Sequence, residues 1–584
     1  MRKIMSCILL SLIVFISVSV YAADSLKVTV YPEKIVYKPG ETANIKVNIT
    51  NSAAAAKTAK VSLMILWGIN ETSSLTPQTL SIPGKGMATA QFFWPVPKNH
   101  EWGHEALAVV TDKNGAQTTG YEYFTVGNDP WILGHYITLF DLQGAKKSGA
   151  IDNSILPEFR NHYITTIESY NTLPSSFGGM VPKTDIYYAA EDGGWTREGR
   201  RDWQYLVKQA HKMGMAVVVC VQDWAAGPVG FDFVRKHPDW VTYGKDGRPA
   251  NAWFDLATLE LHRKNPQAGP PNCGGAIPMN FLNTNQQVGD YWIKNLINSV
   301  KMFGWDGFRS DGIPVVVNGY DYKGILHETN TDKATAKFWE KIRRKLLEHF
   351  PHFLFGWNSE IGGFPPPPTY GPKTVDAQFP ESYELFENFN SAAQPSSPFH
   401  PWKKAVYYME NEVAAVRDKH HGYPHVGWMP SNRYLEAIAS ACGEHVDTWT
   451  YLDYRRFEFR YSEFLWDNAL HFVRPADSIV TVDGPARVWW KKFVQSEDLP
   501  GKGRYVIVNL VNMPKTNDDA WADRPPSPAA NVKVYFKPID GKTPKKIGVF
   551  SPDTPGYVVT VNTSGNGAIV IPEVKIWTMV VADY

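Results

Sequence analysis

From residue 24 to about Val126 the chain alternates apolar and polar positions in short runs, separated by turn residues. LKVTVYP, ANIKVNIT, AKVSLMILWG and ATAQFFWPV are examples, and Lys38-Pro39-Gly40-Glu41 reads as a turn between two of them. A period of two predicts strands with one buried face, and this many strands predict an antiparallel β-sandwich of immunoglobulin-like type. Gly127-Asn128-Asp129-Pro130 reads as a linker. From Trp131 the period changes. Trp203, Leu206, Val207 and Ala210 mark one helical face, Gly214 stops it, and MAVVVCV follows as a buried strand. Ile293, Leu296, Ile297 and Val300 repeat the pattern with Gly304 and WDGF, and Phe338, Ile342 and Leu346 repeat it with HFLFGW. Helix–strand units of this kind predict parallel strands joined by crossover helices. About eight strand candidates to Tyr451 suggest a (β/α)8 barrel, with a doubly wound open sheet as the fallback. After about Pro485 alternation returns in YVIVNLVN, NVKVYFKP, YVVTVNT and IWTMVVAD, which predicts a second β-sandwich. The expected division is 1–22 signal peptide, 24–127 first sandwich, 128–480 barrel and 481–584 second sandwich.

Composition narrows the function. The 584 residues carry 59 Lys and Arg against 58 Asp and Glu, a net charge of +1. Such a balance gives no electrostatic case for nucleic acid or an anionic membrane surface. Arg2 and Lys3 precede an apolar run from Ile8 to Val20, and Val20-Tyr21-Ala22 ends it like a signal-peptidase site. A secreted or periplasmic protein without a membrane anchor in its mature form is expected. Cys7 leaves with the signal, and Cys220, Cys273 and Cys442 are an odd set that argues against a disulfide framework. No Cys/His spacing points to zinc, no glycine-rich nucleotide loop occurs, and no cofactor is expected. Tryptophan (21), tyrosine (28) and phenylalanine (29) are abundant, which suits core packing and also sugar stacking.

Parallel barrels place their chemistry at the C-terminal strand ends. Polar residues there are Glu168, Gln222 with Asp223, Arg309 with Asp311, Asn358 with Glu360, Glu381, and Glu410 with Asn411. Each could be a separate ion pair or cap; as a set, recurring carboxyl groups around one cleft suit acid–base chemistry. In GWDGFRSDGIP, Arg309 and Asp311 share a strand face, while Asp306 lies near the strand start and reads as structural. Asp311 is placed as a nucleophile with Arg309 orienting it. A second carboxylic acid is then needed to protonate a leaving oxygen, and Glu360 and Glu381 both qualify by spacing. Tyr170, Phe177, Trp224 and Trp357 follow strand ends as candidate sugar platforms, with packing as the competing role.

These segments resemble the dextranase and cycloisomaltooligosaccharide glucanotransferase family, glycoside hydrolase family 66. The resemblance rests on AHKMGMAVVVCVQDWAAGP with HPDWVTYGKDG, on GWDGFRSDGI, on VDAQFPES, on RYLEAIASACGEHVDTW with YRRFEFRYSEFLWDN, and on VNLVNMPKTNDDAW with FSPD. It implies a barrel between two sandwiches and a retaining mechanism on α-linked, dextran-like glucan. Asp311 then matches the nucleophile and Glu381 the acid/base, leaving Glu360 to bind sugar. Hydrolysis is favoured over cyclisation, with transglycosylation as a further outcome. Arg309 departs from the pattern, because that family more usually has histidine there. Arg-x-Asp is the habit of the α-amylase family, whose acid/base lies on the next strand, and this keeps an amylase-like enzyme using Asp311 and Glu360 open. A glycan-binding protein with an inactive barrel is the other alternative. The oligomeric state is not assigned.

Overall fold

A computed structural model describes residues 25–130, 133–139, 155–170, 172–189, 196–222, 224–248, 276–278, 281–310, 318–328, 331–358, 377–379, 406–407, 433–443, 445–446, 451–467, 469–499, 503–516, 519–520, 523–554, 558–562 and 568–584. The N-terminal strands are β1 (Leu26–Pro32), β2 (Val36–Tyr37), β3 (Thr42–Asn51), β4 (Lys57–Trp67), β5 (Glu71–Ser74), β6 (Gln78–Ile82), β7 (Met87–Pro95), β8 (Trp102–Asp112) and β9 (Gln117–Val126). They form one sheet of order β1-β3-β7 and another of order β2-β9-β8-β4-β5, with β6 on β4. Alternation dictates the packing. Ile45, Val47 and Ile49 of β3 face Val61, Leu63 and Ile65 of β4 in one buried cluster. A one-residue slip would send that whole set to solvent, so the register is strongly specified. The predicted turn is present: Glu41 N–H donates to Lys38 C=O at 3.0 Å, and Gly40 takes φ +87°, a left-handed conformation that favours glycine.

The central elements are β10 (His135–Leu139), α1 (Ile155–Asn161), β11 (Ile164–Ser169), β12 (Ile186–Ala189), β13 (Thr196–Gly199), α2 (Arg200–Lys212), β14 (Ala216–Val221), β15 (Trp224–Ala226), α3 (Gly227–Lys236), β16 (Ala276–Pro278), α4 (Phe281–Phe303), β17 (Gly307–Ser310), β18 (Asn318–Tyr320), β19 (Leu326–Glu328), α5 (Thr331–His349), β20 (Leu354–Asn358), β21 (Ala377–Phe379), β22 (Val406–Tyr407), α6 (Arg433–Ala441), β23 (His445–Val446), α7 (Leu452–Arg460) and α8 (Glu463–Trp466). Six strands pair in parallel in the order β10-β11-β14-β17-β20-β21. β22 and β23 pair in parallel with each other; β22 lies beside β21 and β23 beside β10. The antiparallel pairs β12/β13, β15/β16 and β18/β19 are additions that the sequence pattern did not reveal.

The predicted helix stops are where the sequence puts them. Gly214 (φ +81°) ends α2 and Gly304 (φ +86°) ends α4. A Cβ on Gly214 would lie 2.3 Å from the Val36 carbonyl oxygen, so this glycine also lets the first sheet module press against the centre. There Ile35 N–H donates to Met213 C=O at 2.8 Å. Asp306 is a scaffold residue, as expected. Its carboxylate accepts the Val217 N–H at 2.7 Å and meets His211 Nε2 at 2.7 Å, and that bond raises the His211 pKa. Its backbone joins β14 to β20, through Val217 C=O and Leu354 N–H.

The C-terminal strands are β24 (His471–Phe472), β25 (Val480–Asp483), β26 (Val488–Trp489), β27 (Val494–Leu499), β28 (Gly503–Asn512), β29 (Ala529–Phe536), β30 (Lys546–Phe550), β31 (Val558–Asn562), β32 (Ala568–Val574) and β33 (Trp577–Asp583). One sheet runs β24-β27-β28-β33-β30-β31 with β26 on β28, and the other β25-β29-β32. β24 pairs with β27, so this sheet recruits chain ahead of residue 481, where the sequence places the boundary. Two residues are too few to show alternation. The central core continues into both flanking modules, taking in Ile69 and Trp102 on one side and Phe550 and Trp577 on the other.

Three histidines are buried without charge. His104 stacks on Phe124 at 5.3 Å and donates Nδ1–H to Trp102 C=O at 2.9 Å; burial pushes its pKa down to about 3. His445 stacks on Trp466 at 4.0 Å and bonds Gly134 C=O at 2.9 Å; burial again lowers it to about 3. Burial also holds His135 well below its ordinary value. An unfolded chain protonates these rings below about pH 6.5 while the folded chain does not. Stability from them is therefore complete above that pH and is lost as pH falls towards about 3. Each histidine is expected to cost about 1.4 kcal/mol per pH unit in that window. Urea unfolding between pH 7 and 4.5 checks this, and the double change of His104 and His445 to glutamine is expected to flatten the slope by about two protons.

Candidate active site

Strand parity fixes the two faces of the parallel sheet. Phe308 of β17 points to the helix layer, 5.5 Å from both Trp292 of α4 and Trp339 of α5. Its neighbour Arg309 therefore projects from the opposite, inner face. There Arg309 Nη1 donates to Glu168 Oε1 at 3.3 Å, across the intervening strand β14. Glu168 Oε2 accepts from the Tyr136 hydroxyl and from Thr138 Oγ1, the latter at 3.1 Å. Arg309 is 1% exposed and Glu168 wholly enclosed. A buried pair this close must satisfy its remaining polar atoms to repay desolvation, and β10 supplies two of the donors. The pair locks β11 to β17 two residues before Asp311.

The other predicted residues fall into three groups. Asp311, Glu360, Glu381, Asp223, Glu410 and Asn411 lie outside the described residues. Trp224 opens β15, and Trp357 and Asn358 close β20, which puts their backbones at strand ends as expected. Tyr170 follows β11 and is 7% exposed, with its N–H bonded to Leu139 C=O at 3.0 Å. Phe177 is a correction. It is fully buried, with ring contacts to Phe233 at 5.9 Å and Trp292 at 6.5 Å, so it packs rather than stacks on sugar. Glu168 is also corrected from a rim acid to an enclosed partner of Arg309. Arg309 thus has a partner 141 positions away, whereas its orienting role read from the sequence concerns Asp311, outside the described residues. Tyr136 and Thr138 were missed. Their signal was two polar hydroxyls at i and i+2 in HYITL, the parity that reaches Glu168.

Cys220 and Cys442 are both buried. Among the described residues, no group of three His, Cys, Asp or Glu side chains could hold a metal, and no helix is long and apolar enough to cross a membrane.

A parallel helix–strand centre flanked by two β-sheet modules belongs here to a glycoside hydrolase. The pattern described as Glycosyl hydrolase family 66 matches residues 32–355, more than half of the chain, and the protein belongs to that family. The match contains Asp311 and ends before both Glu360 and Glu381. No curated protein matches the sequence. Among solved structures, a cycloisomaltooligosaccharide glucanotransferase from Paenibacillus sp., complexed with cycloisomaltoheptaose, is similar at 15% identity with a TM-score of 0.68; the alignment covers 95% of this chain and 100% of that one. This likeness shows a shared fold over nearly the whole length. A maltogenic α-amylase from Thermotoga neapolitana aligns at 12% identity and a TM-score of 0.41, over 76% of this chain and 98% of that one.

Proposed function

We propose that this protein is a secreted or periplasmic, retaining glycoside hydrolase that acts on α-linked glucan, with dextran-like α-1,6 linkages favoured. The observation that carries the reading is the inner-face position of Arg309 on β17, a strand that ends at Ser310, immediately before Asp311 in the sequence. Family membership supplies the reaction class, and the resemblance to dextranases supplies the linkage. The neighbour of similar fold that is complexed with a cyclic isomaltooligosaccharide is consistent with both. Closure into a (β/α)8 barrel is part of the proposal. Its support is the unbroken parallel order of six strands, with β22 beside β21, β23 beside β10, and the two paired to each other. The division into a sandwich, a barrel and a second sandwich is proposed with it.

In the proposed mechanism Asp311 attacks the anomeric carbon while Glu381 protonates the departing glycosidic oxygen. A glycosyl ester forms on Asp311. Glu381 then takes a proton from water, which attacks the anomeric carbon, expels the Asp311 carboxylate and restores the starting configuration. A sugar hydroxyl in place of that water gives transglycosylation. The test is proton NMR of fresh digests of dextran and of an α-1,4-glucan. Early appearance of the α-anomer from dextran is expected. Early β-anomer would overturn retention, and turnover of the α-1,4-glucan alone would favour the amylase-like use of Asp311 with Glu360.

A further inference from the structure

A cavity of about 310 Å³ opens where the two β-sheet modules meet α7. Tyr121 and Tyr123 of β9, Tyr461 after α7 and Phe550 of β30 give it aromatic walls. Tyr121 is 48% exposed, with its ring 5.5 Å from Tyr123. Inside, Arg460 Nε lies 3.8 Å from Glu105 Oε2, too far for a hydrogen bond, and this buried Nε makes no hydrogen bond. The same guanidinium is anchored elsewhere, by Nη2 donating to Gly68 C=O at 3.3 Å and by the Tyr461 ring at 4.7 Å. It is held in place while one donor goes unused.

We propose that this cavity is a second, non-catalytic site that binds a neutral sugar unit, a glucosyl residue of the substrate chain. Glu105 stops short of a hydrogen bond with Arg460, so its carboxylate, which burial pushes up in pKa, gains from a hydroxyl donor in the cavity. One hydroxyl donates to the Glu105 carboxylate, whose side chain is one-fifth exposed, and its neighbour accepts from the more open guanidinium of Arg456. The apolar C–H face of the ring then lies on Tyr121 at the mouth. Charges in the cavity cancel in pairs, Glu105 with Arg460 and Asp453 with Arg456 at 3.6 Å, which favours a neutral polyol over an anion. The volume is that of a small-ligand site and about ten times the share of one water in the liquid.

Position separates this site from the catalytic cleft. Arg456 of α7 reaches the hydroxyl of Tyr163, the residue before β11, and the Arg455 carbonyl meets His135 at the start of β10. The cavity therefore sits towards the N-terminal strand ends, opposite the exit of β17. It would hold a polymer on the enzyme rather than contact the bond being cleaved. The identity of the sugar rests on the proposed function.

The test uses the full-length Asp311→Asn enzyme, with isomaltotriose and maltotriose as calorimetric probes and crystals soaked in isomaltotriose. Two classes of site are expected, with density in the cavity. Tyr121→Ala, which alters an exposed ring, is expected to weaken one class at least tenfold. In the otherwise wild-type enzyme it should leave kcat/KM on a short aryl isomaltooligoside unchanged and raise KM on dextran several-fold. Glu105→Gln, which keeps the side-chain volume, is expected to weaken the same class. Ordered water only in the cavity, inorganic phosphate binding there in place of sugar, or two intact classes in Tyr121→Ala would overturn the proposal. If the catalytic cleft binds glucan and the cavity stays empty, this inference alone fails. If neither trisaccharide binds anywhere, the substrate reading fails first.

Discussion

Replacing Asp311 with asparagine is expected to lower kcat by on the order of 10⁴-fold or more, the scale on which losing a covalent nucleophile acts, while the urea midpoint stays near wild type. The partner assignment is decided by a second pair of variants. Asn358 at the end of β20 is paired with Phe379 at the end of β21. Glu360 follows the first by two positions and Glu381 follows the second by two, so the register gives neither an advantage. Chemistry separates them. Removing the acid/base should cost about 10²–10⁴-fold on a poor leaving group and far less on an activated aryl group that needs no proton. Azide should then restore turnover, because it attacks the anomeric carbon of the glycosyl ester without needing a base and releases Asp311. Glu381→Gln is expected to show both rescues and Glu360→Gln neither. The reverse result would move the acid/base to the adjacent strand, and inactivity of Asp311→Asn without any trapped ester in either glutamine variant would be the wrong signature for double displacement.

Legibility followed the range of the interaction. The β3 alternation and the Gly214 and Gly304 stops are local, since each depends on a few consecutive residues, and they appear in the structure as read. Asp306 was also readable, because a carboxylate at a strand start has backbone donors within reach. The short strand β24 and the added pairs β12/β13, β15/β16 and β18/β19 were not. Strands of two to four residues carry no measurable period, and their pairing is decided by what lies opposite. The tie between Glu168 and Arg309 is the clearest loss. Each was singled out as a polar residue near a strand end, but parity says only which face a side chain takes. It says nothing of which strand supplies the partner, and here that partner is two strands and 141 positions away.

That tie carries the second large expected effect. Arg309→Met is expected to lower stability by about 3–5 kcal/mol, the usual consequence of stranding one member of a buried ion pair. The carboxylate of Glu168 would keep the Tyr136 and Thr138 hydroxyls but lose the cation that offsets its desolvation. Glu168→Leu should also lower stability by taking a carboxylate away from the buried guanidinium, whereas the double change should recover much of the loss, since apolar side chains can fill such a site without uncompensated charge. Urea unfolding of the four proteins completes the cycle; single-variant losses under about 1 kcal/mol would show that the pair does not hold β11 to β17. Kinetics of the refolded double variant then separate scaffold from orientation. If Arg309 acts on Asp311 as well as on Glu168, the stable double variant still has reduced kcat with KM little changed, because the nucleophile has lost its orienting charge. If Arg309 only braces the strands, kcat returns along with stability. Arg309→His is the informative intermediate. Histidine is the residue more usual at this position in the resembling family, but its ring is too short to reproduce the reach of Nη1 to Glu168. Activity retained with stability lost would assign the long arm of Arg309 to the scaffold and the positive charge at this position to the site.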